Sequence, residues 1–364
     1  MKVVFIIPSL SSGGAERIVS HISNKLAENN NDVYILTFEG IKPFYKLHNN
    51  IKYKTAGLVV KRENRLNTII KIFFNLFKYM KFVSKEIKDI CPDVVIPFLP
   101  QADISIFKLI LKKRSYKIVC SERNDPQQRN LIMQRILKLI YSNCDLLVCQ
   151  SKNVSNFYSN IPGDKKVIIE NPLNDDIIPE YVDESSCPKI VSVGRLSKQK
   201  NHELLIRSFA NIYRVGALNC NLYIYGEGPE RNNLENLIRN LGLEGRVILC
   251  GREKNVLHKI KDASLFVLSS NYEGFPNALL EAVALGLPVI STDFPTGTAE
   301  RLIDNSNGII VPVNDEYKMS IAIKKIMLDE TLRKKMRGNT LNIRNELNLD
   351  RIVSMWMKNI AQLV

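Results

Sequence analysis

Four charged residues in the second half of the chain are spaced to handle an anion and a polyol. Arg195 and Lys200 lie in Gly194-Arg195-Leu196-Ser197-Lys198-Gln199-Lys200-Asn201, which follows a strand-like apolar run and leads into a helical pattern. Doubly wound folds bind ligands at the carboxyl edge of the sheet, where such a run belongs. Arg grips a diphosphate there bidentately and Lys adds a point charge. A solvated basic turn explains Lys198 better than it explains all three cations. Further on, Glu273 precedes Gly274-Phe275-Pro276-Asn277, a loop that ends in a helix start because Pro fits the first turn. Glu281 falls inside that helix, among Ala278, Leu279, Leu280, Ala282, Val283 and Ala284. A carboxylate buried there needs donors. A ribose diol supplies two, and a neighbouring turn is the alternative source.

Two glycine turns extend the pattern. Gly13-Gly14 separates the first apolar run from the first helical one. Glycines at that point let the backbone approach a ligand, and a helix N-terminus offers N–H groups to an anion. The pair is not GxGxxG, and a tight turn without a ligand explains it equally well. Gly226-Glu227-Gly228-Pro229 forms another turn after a strand, at the same edge as Arg195.

The elements that must position these residues alternate along the whole chain. In the first half the strands are Val3–Pro8, Val33–Phe38, Val94–Phe98, Ile118–Ser121, Leu146–Gln150 and Lys166–Ile169, with helices at Gly14–Glu28, within 66–89 and between later strands. In the second half they are Ile190–Val193, Leu222–Tyr225, Val247–Leu249, Leu265–Leu268, Val289–Ser291 and Ile309–Val311, with helices between them and two at the end. Such alternation specifies parallel sheets with helices on both faces. Each half opens with its own strand–loop–helix unit, and 364 residues suit two domains. The expected layout is a first domain over 1–172 and a linker over 173–189 marked by Pro179 and Pro188. A second domain follows over 190–345, and a helix over 346–364 returns toward the first.

Composition narrows the class. The chain is 45% hydrophobic and 24% charged, within the range of a soluble globular protein. No run of 18 apolar residues exists to span a bilayer, and the opening apolar run is too short for a signal peptide. Seven scattered cysteines without a CxxC, and four histidines without ligand spacing, argue against disulfides and zinc and for a reducing compartment. Residues 1–172 hold 27 Lys and Arg against 14 Asp and Glu, while residues 173–364 are nearly balanced at 24 against 23. An excess on one half points to an anionic partner there: nucleic acid, an acidic membrane or a phosphorylated acceptor.

In their order and spacing, Gly13–Arg17 (GGAER), Gly194–Asn201 (GRLSKQKN), Gly226–Pro229 (GEGP) and the pair Glu273 and Glu281, followed by Ala284–Thr292 (ALGLPVIST), resemble glycosyltransferase family 4. The resemblance covers essentially the whole chain. It implies an α/β GT-B fold, two Rossmann-like doubly wound domains facing a central cleft. It implies transfer of a sugar from a nucleotide diphosphate, UDP by family frequency, with retention of anomeric configuration and neither metal nor cofactor. Carried over residue by residue, Arg195 and Lys200 bind the donor diphosphate, Glu273 lies by the transferred sugar and Glu281 binds the ribose. Gly274, Phe275, Pro276 and Asn277 cradle sugar and phosphate, and Gly251 to Val256 frames the base. Many members have a His after the fourth strand of the first domain, where Ser121-Glu122-Arg123-Asn124-Asp125 stands here. Arg does not deprotonate, so a proton role like that of His is excluded. Arg123 then holds an acceptor phosphate with Glu122 and Asp125 in polar support, or it forms an ion pair within the loop.

The positive half has its own focus. At about 100° per residue, Ile69, Phe73, Phe77, Met80, Val83 and Ile87 share one face over 61–88, beside a stripe formed by Lys71, Lys78, Lys81, Lys85 and Lys88. A helix packed on the sheet explains part of this face. An interfacial helix meeting anionic lipid explains the lysines as well. The expectation is a peripheral enzyme on the cytoplasmic face of the membrane, moving a hexose or N-acetylhexosamine to a lipid-linked or surface-polysaccharide precursor. Two rivals are a GT-B sugar-nucleotide epimerase, disfavoured by the two glutamates, and a basic nucleic-acid binder. The second predicts steep salt dependence and leaves Arg195, Lys200, Glu273 and Glu281 without a role.

Overall fold

The computed structural model describes residues 1–364 except 12, 59–64, 174–177, 181, 186, 215, 217–219, 305 and 338–340; of 65–74 and 341–342 only the backbone is described. The chain divides into two compact units, Met1–Pro172 with Leu349–Val364, and Leu173–Asn348. Asp175 and Asp176, the 61–64 end of the basic segment and the side chains of Ile69, Lys71 and Phe73 lie outside the described residues.

In the first unit the strand and helix series is β1 (Lys2–Ile7), α1 (Gly14–Glu28), β2 (Asp32–Glu39), β3 (Lys52–Leu58), α2 (Arg65–Ile90) and β4 (Val94–Pro97). It continues with α3 (Pro100–Ser105), α4 (Phe107–Ile110), β5 (Lys117–Ser121), α5 (Leu131–Ser142), β6 (Leu146–Cys149), α6 (Lys152–Phe157) and β7 (Lys166–Ile168). All strands pair in parallel, in the order β3-β2-β1-β4-β5-β6-β7. Val3 to Ile7 of β1 and all of β4 are buried, because helices cover both faces of the sheet. β3 is a strand that the apolar pattern does not announce. Its sequence is Lys-Tyr-Lys-Thr-Ala-Gly-Leu, and as the edge of the sheet it is half to fully exposed, so burial imposes no alternation.

The second unit runs β8 (Lys189–Val193), α7 (His202–Arg214), β9 (Asn221–Tyr225), α8 (Arg231–Asn240), β10 (Val247–Gly251), α9 (Val256–Ile260) and β11 (Leu265–Leu268). Then come α10 (Asn277–Ala284), β12 (Val289–Asp293), α11 (Thr298–Leu302), β13 (Gly308–Pro312), α12 (Glu316–Leu328), α13 (Glu330–Met336) and α14 (Leu341–Glu346). Its sheet is again parallel, in the order β10-β9-β8-β11-β12-β13. The segment before β8 is tied to this unit: Arg333 donates to the Glu184 carboxylate, and Arg337 donates to the Val182 carbonyl.

The last helix, α15 (Leu349–Ala361), belongs to the first unit, although it is last in the chain. It packs on α1, where Asp350 pairs with Lys25 at 2.7 Å, and it buries Trp356 against Phe98 with ring centroids 6.1 Å apart. In each sheet the strand order reverses next to its first strand, between β1 and β4 and between β8 and β11. Loops leaving such a pair of strands diverge to opposite faces and open a crevice for a ligand.

Candidate active site

The reversal in the second unit falls where the chemically suggestive residues are. β8 ends in the Gly194–Asn201 loop and β11 in the Ser269–Pro276 loop. Sheet order makes these loops neighbours although they are some seventy residues apart in sequence. Lys200 Nζ lies 2.5 Å from Glu273 Oε1, and Ser270 Oγ donates to the same oxygen at 2.6 Å. Lys200 is half-buried and Glu273 buried, so the pair keeps a charge-assisted bond in a partly dry setting while the ammonium retains further donors. Arg195 is exposed on the same loop, with no carboxylate partner among the described residues.

The two loops are laced by side chains that motif reading passed over. Asn271 N–H donates to the Gln199 carbonyl at 2.8 Å, and the Gln199 side chain donates to the Tyr272 carbonyl at 3.0 Å. Asn271 donates to the Lys198 carbonyl at 2.8 Å, and Ser269 to the Lys200 carbonyl at 3.0 Å. Asn201, in the left-handed region at φ 45°, donates to Asn271 and Asn314 and places its own side-chain oxygen toward the first turn of α7. The only sequence signal for this lacing was a cluster of amides and hydroxyls at two strand ends.

Behind Arg195, glycine is required for backbone packing. A Cβ on Gly226, at φ 148°, would lie 1.9 Å from the Gly194 carbonyl oxygen, and one on Gly228 would lie 2.2 Å from that of Leu196. The space is used by Gly194 N–H donating to Tyr225 and Leu196 N–H donating to Glu227. Gly226 N–H donates in turn to the Gly251 carbonyl at the end of β10. The Gly226–Pro229 turn thus buttresses the Arg195 loop. Gly251 and Val256 bracket the connection from β10 into α9.

His202 opens α7 directly under the loop and is buried. Neither ring nitrogen makes a hydrogen bond of good geometry, although the backbone of Gly194 and Arg195 passes nearby. Burial, and secondarily the Lys200 charge, pushes its pKa down to about 4, so the ring is neutral at physiological pH.

On the far side of the crevice, Gly274, Phe275 and Pro276 are buried and lead into α10, whose first residue is Asn277. The Thr298 hydroxyl faces the Gly274 carbonyl at 3.5 Å and tethers this loop to α11. Glu281 is buried in the second turn of α10. The structure therefore brings Arg195, Lys200, Glu273 and the α10 start to adjoining loops of one sheet edge.

In the first unit the charged residues behave differently. Gly13 caps α1, with the Glu16 carboxylate so close over it that a Cβ would meet it at 2.1 Å. Gly14 is the first residue of that helix. After β5, Glu122 is buried in an ion pair with Arg129, its Oε1 accepting from Nη2 at 2.6 Å, and the Tyr158 hydroxyl donates to it at 2.6 Å. Asp125 caps a short turn, accepting from the Gln127 N–H at 3.0 Å. The loop ion pair thus forms at Glu122, not at Arg123. Arg123 points inward instead: its guanidinium carbon lies 5.1 Å from the Phe98 ring and 5.4 Å from that of Trp356. Nη1 donates to Asn171 Oδ1 at 2.9 Å, while Nε and Nη2 have no hydrogen-bond partner among the described residues. Burial lowers its pKa to about 9, which still leaves it cationic at neutral pH.

Two family models match the chain. Glycosyltransferase Family 4 covers residues 12–177, and Glycosyl transferases group 1 covers residues 175–342. The chain belongs to the family 4, group 1 glycosyltransferases. This glycosyltransferase is 27% identical over 365 residues to a Campylobacter jejuni enzyme named GalNAc-alpha-(1->4)-GalNAc-alpha-(1->3)-diNAcBac-PP-undecaprenol alpha-1,4-N-acetyl-D-galactosaminyltransferase, covering 100% of this chain and 99% of that one. Among solved structures it is similar to sucrose-phosphate synthase of Thermosynechococcus elongatus, with TM-score 0.86, 18% identity, and 99% and 98% of the two chains covered. It is also similar to Anabaena HepE in complex with UDP and glucose, with TM-score 0.77, 15% identity and 99% of each chain covered. The glycosyltransferase has the two-domain α/β GT-B fold of these structures.

Proposed function

We propose that this glycosyltransferase moves a hexose or N-acetylhexosamine from a UDP-sugar to a lipid-linked or surface-polysaccharide precursor. It does so with retention, without a metal, at the cytoplasmic face of a membrane. The observation that carries the reading is the Lys200–Glu273 pair beside an unpartnered, exposed Arg195 at the switch point of the second sheet. When the bond from anomeric carbon to phosphate oxygen breaks, the electron pair leaves with the diphosphate. Arg195 and Lys200 stabilise the charge that grows there, more in the transition state than before it. The acceptor oxygen bonds the same face of the sugar and releases its proton to the departing phosphate. Glu273 holds a sugar hydroxyl and keeps Lys200 in place, Glu281 takes the ribose, and Gly251 to Val256 borders the base.

The lipid-linked acceptor is supported by the name of the Campylobacter relative, whose substrate is carried on undecaprenol diphosphate, and the UDP donor by the ligand in HepE. On the first unit we assign the acceptor diphosphate to Arg123, whose Nε and Nη2 lack an acceptor, while Glu122 and Asp125 hold its loop. The test is a panel of nucleotide sugars incubated with a lipid-linked oligosaccharide fraction, with and without a metal chelator. Acceptor-dependent UDP release, unaffected by the chelator and giving an α-linked product from an α-linked donor, is the expected outcome. UDP-sugar turnover without acceptor, or an inverted product, would overturn the reading.

A further inference from the structure

The second unit carries a polar cavity that donor handling leaves unused. α7 and α8 pack side by side, and α8 buries Leu234 and Ile238 out of Arg-Asn-Asn-Leu-Glu-Asn-Leu-Ile-Arg-Asn. At helical spacing Asn233, Asn236, Leu237 and Asn240 fall together on another face. With Glu203 and Arg207 of α7 and the loops after β8, β11 and β13, they border a cavity of about 490 Å³. That volume is in the range of small-molecule sites. Arg195, Lys200, Glu273 and Glu281 do not border it.

The walls select against charge. Lys198 and Arg207 stand against Glu203 and Glu230, and Arg207 is already paired with Glu203 at 2.7 Å. An anion would meet two carboxylates there, and a cation two basic groups. Six of the wall residues are asparagines, the three of α8 together with Asn201, Asn271 and Asn314 from the loops. An amide both donates and accepts, so the matching ligand is neutral and does both as well. Saccharide hydroxyls have that character, and half-buried Leu237 offers an apolar patch to the C–H face of a ring. Among the described residues the side chains of Ser197, Lys198 and Asn240 make no hydrogen bond or ion pair. Buried His202 also borders the cavity, with both ring nitrogens unpartnered among the described residues.

We propose that this cavity binds a neutral saccharide, apart from the nucleotide-sugar site, and that its occupancy steadies the Arg195 loop. Cavity wall and loop are one piece of chain. Ser197 and Lys198 lie between Arg195 and Lys200, and the Asn271 side chain donates to the Lys198 carbonyl. Asn201 donates in turn to Asn271 and Asn314. A sugar held across Ser197, Asn240 and Asn314 adds bonds to that loop and lowers the cost of ordering it around a diphosphate. By linkage the diphosphate tightens the saccharide by the same factor. The coupling rests on the reading of Arg195 and Lys200 as diphosphate ligands, whereas the site itself does not.

The test is a ligand-observed NMR titration of the full chain with glucose, N-acetylglucosamine and their linear tetrasaccharides, with and without UDP. Saturable binding is expected, with Kd lowered about fivefold by saturating UDP. Affinity that rises with chain length assigns the site to a glycan chain, and equal affinity along the series assigns it to a free sugar; both uphold it. N236A/N240A, at two exposed positions of α8, should weaken saccharide binding about tenfold through two lost hydrogen bonds. UDP binding without saccharide should stay at the wild-type level, and the helix should persist because Ala favours it. Equal saccharide affinity in N236A/N240A would overturn the proposal, as would no saturable binding by any member of the panel while UDP still binds. So would a saccharide that UDP displaces or that R195A releases, since either places the sugar in the donor site. Saccharide binding by a protein that does not bind UDP would uphold the site and sink the coupling together with the diphosphate reading.

Discussion

The two units put charged residues at corresponding places, just past the carboxyl ends of inner strands, and use them in opposite ways. After β8 and β11, Arg195 is exposed, Lys200 is half-buried, and the amides around them hydrogen-bond the two loops together. After β5, Glu122 is sealed by Arg129 and Tyr158, and Arg123 is turned against Phe98 and Trp356. A charge left at the surface of a braced loop is available to a substrate. A charge buried and saturated by its neighbours, as Glu122 is, holds the fold, whereas Arg123 is buried with two N–H-bearing nitrogens still unpartnered among the described residues. Residue type and position on the strand do not separate these cases, but burial and partner count do.

Glu122→Ala offers the sharpest way to break this contrast. It strands the Arg129 guanidinium and the Tyr158 hydroxyl in a buried site, and removing one partner of such a pair costs about 3–5 kcal/mol. Fluorescence of Trp356, the single tryptophan, should report the first unit unfolding at much lower denaturant. A variant as stable as wild type but inactive would move Glu122 into the acceptor site. Arg195→Ala should do the reverse. Its kcat is expected to fall about 100- to 1000-fold, as for loss of a donor to a developing anion, with stability within about 0.5 kcal/mol of wild type, as for an exposed position. Wild-type turnover would remove Arg195 from the site.

His202 refines the comparison within the second unit. Its pKa is about 4 when folded and 6.5 otherwise, so between those values the unfolded chain binds a proton that the folded one refuses. Its contribution is intact above pH 6.5 and is lost as pH falls toward 4, by about 3 kcal/mol across the window. Unfolding followed by circular dichroism at several pH values should show this slope, and His202→Phe should flatten it. An unchanged slope would mean that the ring finds a hydrogen bond in solution.

Much of this was legible in the sequence, for identifiable reasons. Fully buried strands such as Val3–Ile7 and Leu265–Leu268 stand out because both faces are covered. β3 did not, because an exposed edge strand carries no such constraint. Arg195, Lys200, Glu273 and Glu281 stand out as candidates by type and spacing. The Lys200–Glu273 contact does not, because it depends on β8 and β11 being adjacent. Arg123 was the least readable. Nothing local in Ser-Glu-Arg-Asn-Asp says that its guanidinium meets an indole more than two hundred residues later.

That indole has a consequence for the order in which the protein is made. The first unit is completed only by Leu349–Val364, which follows the whole of the second unit in the chain. Domains usually fold as they emerge, the N-terminal one first. Here the second unit can close its core while the first still waits for Trp356 to cover Phe98 and Arg123. A chain cut before Leu349 would keep the second unit intact and leave Phe98 of the first without its Trp356 cover.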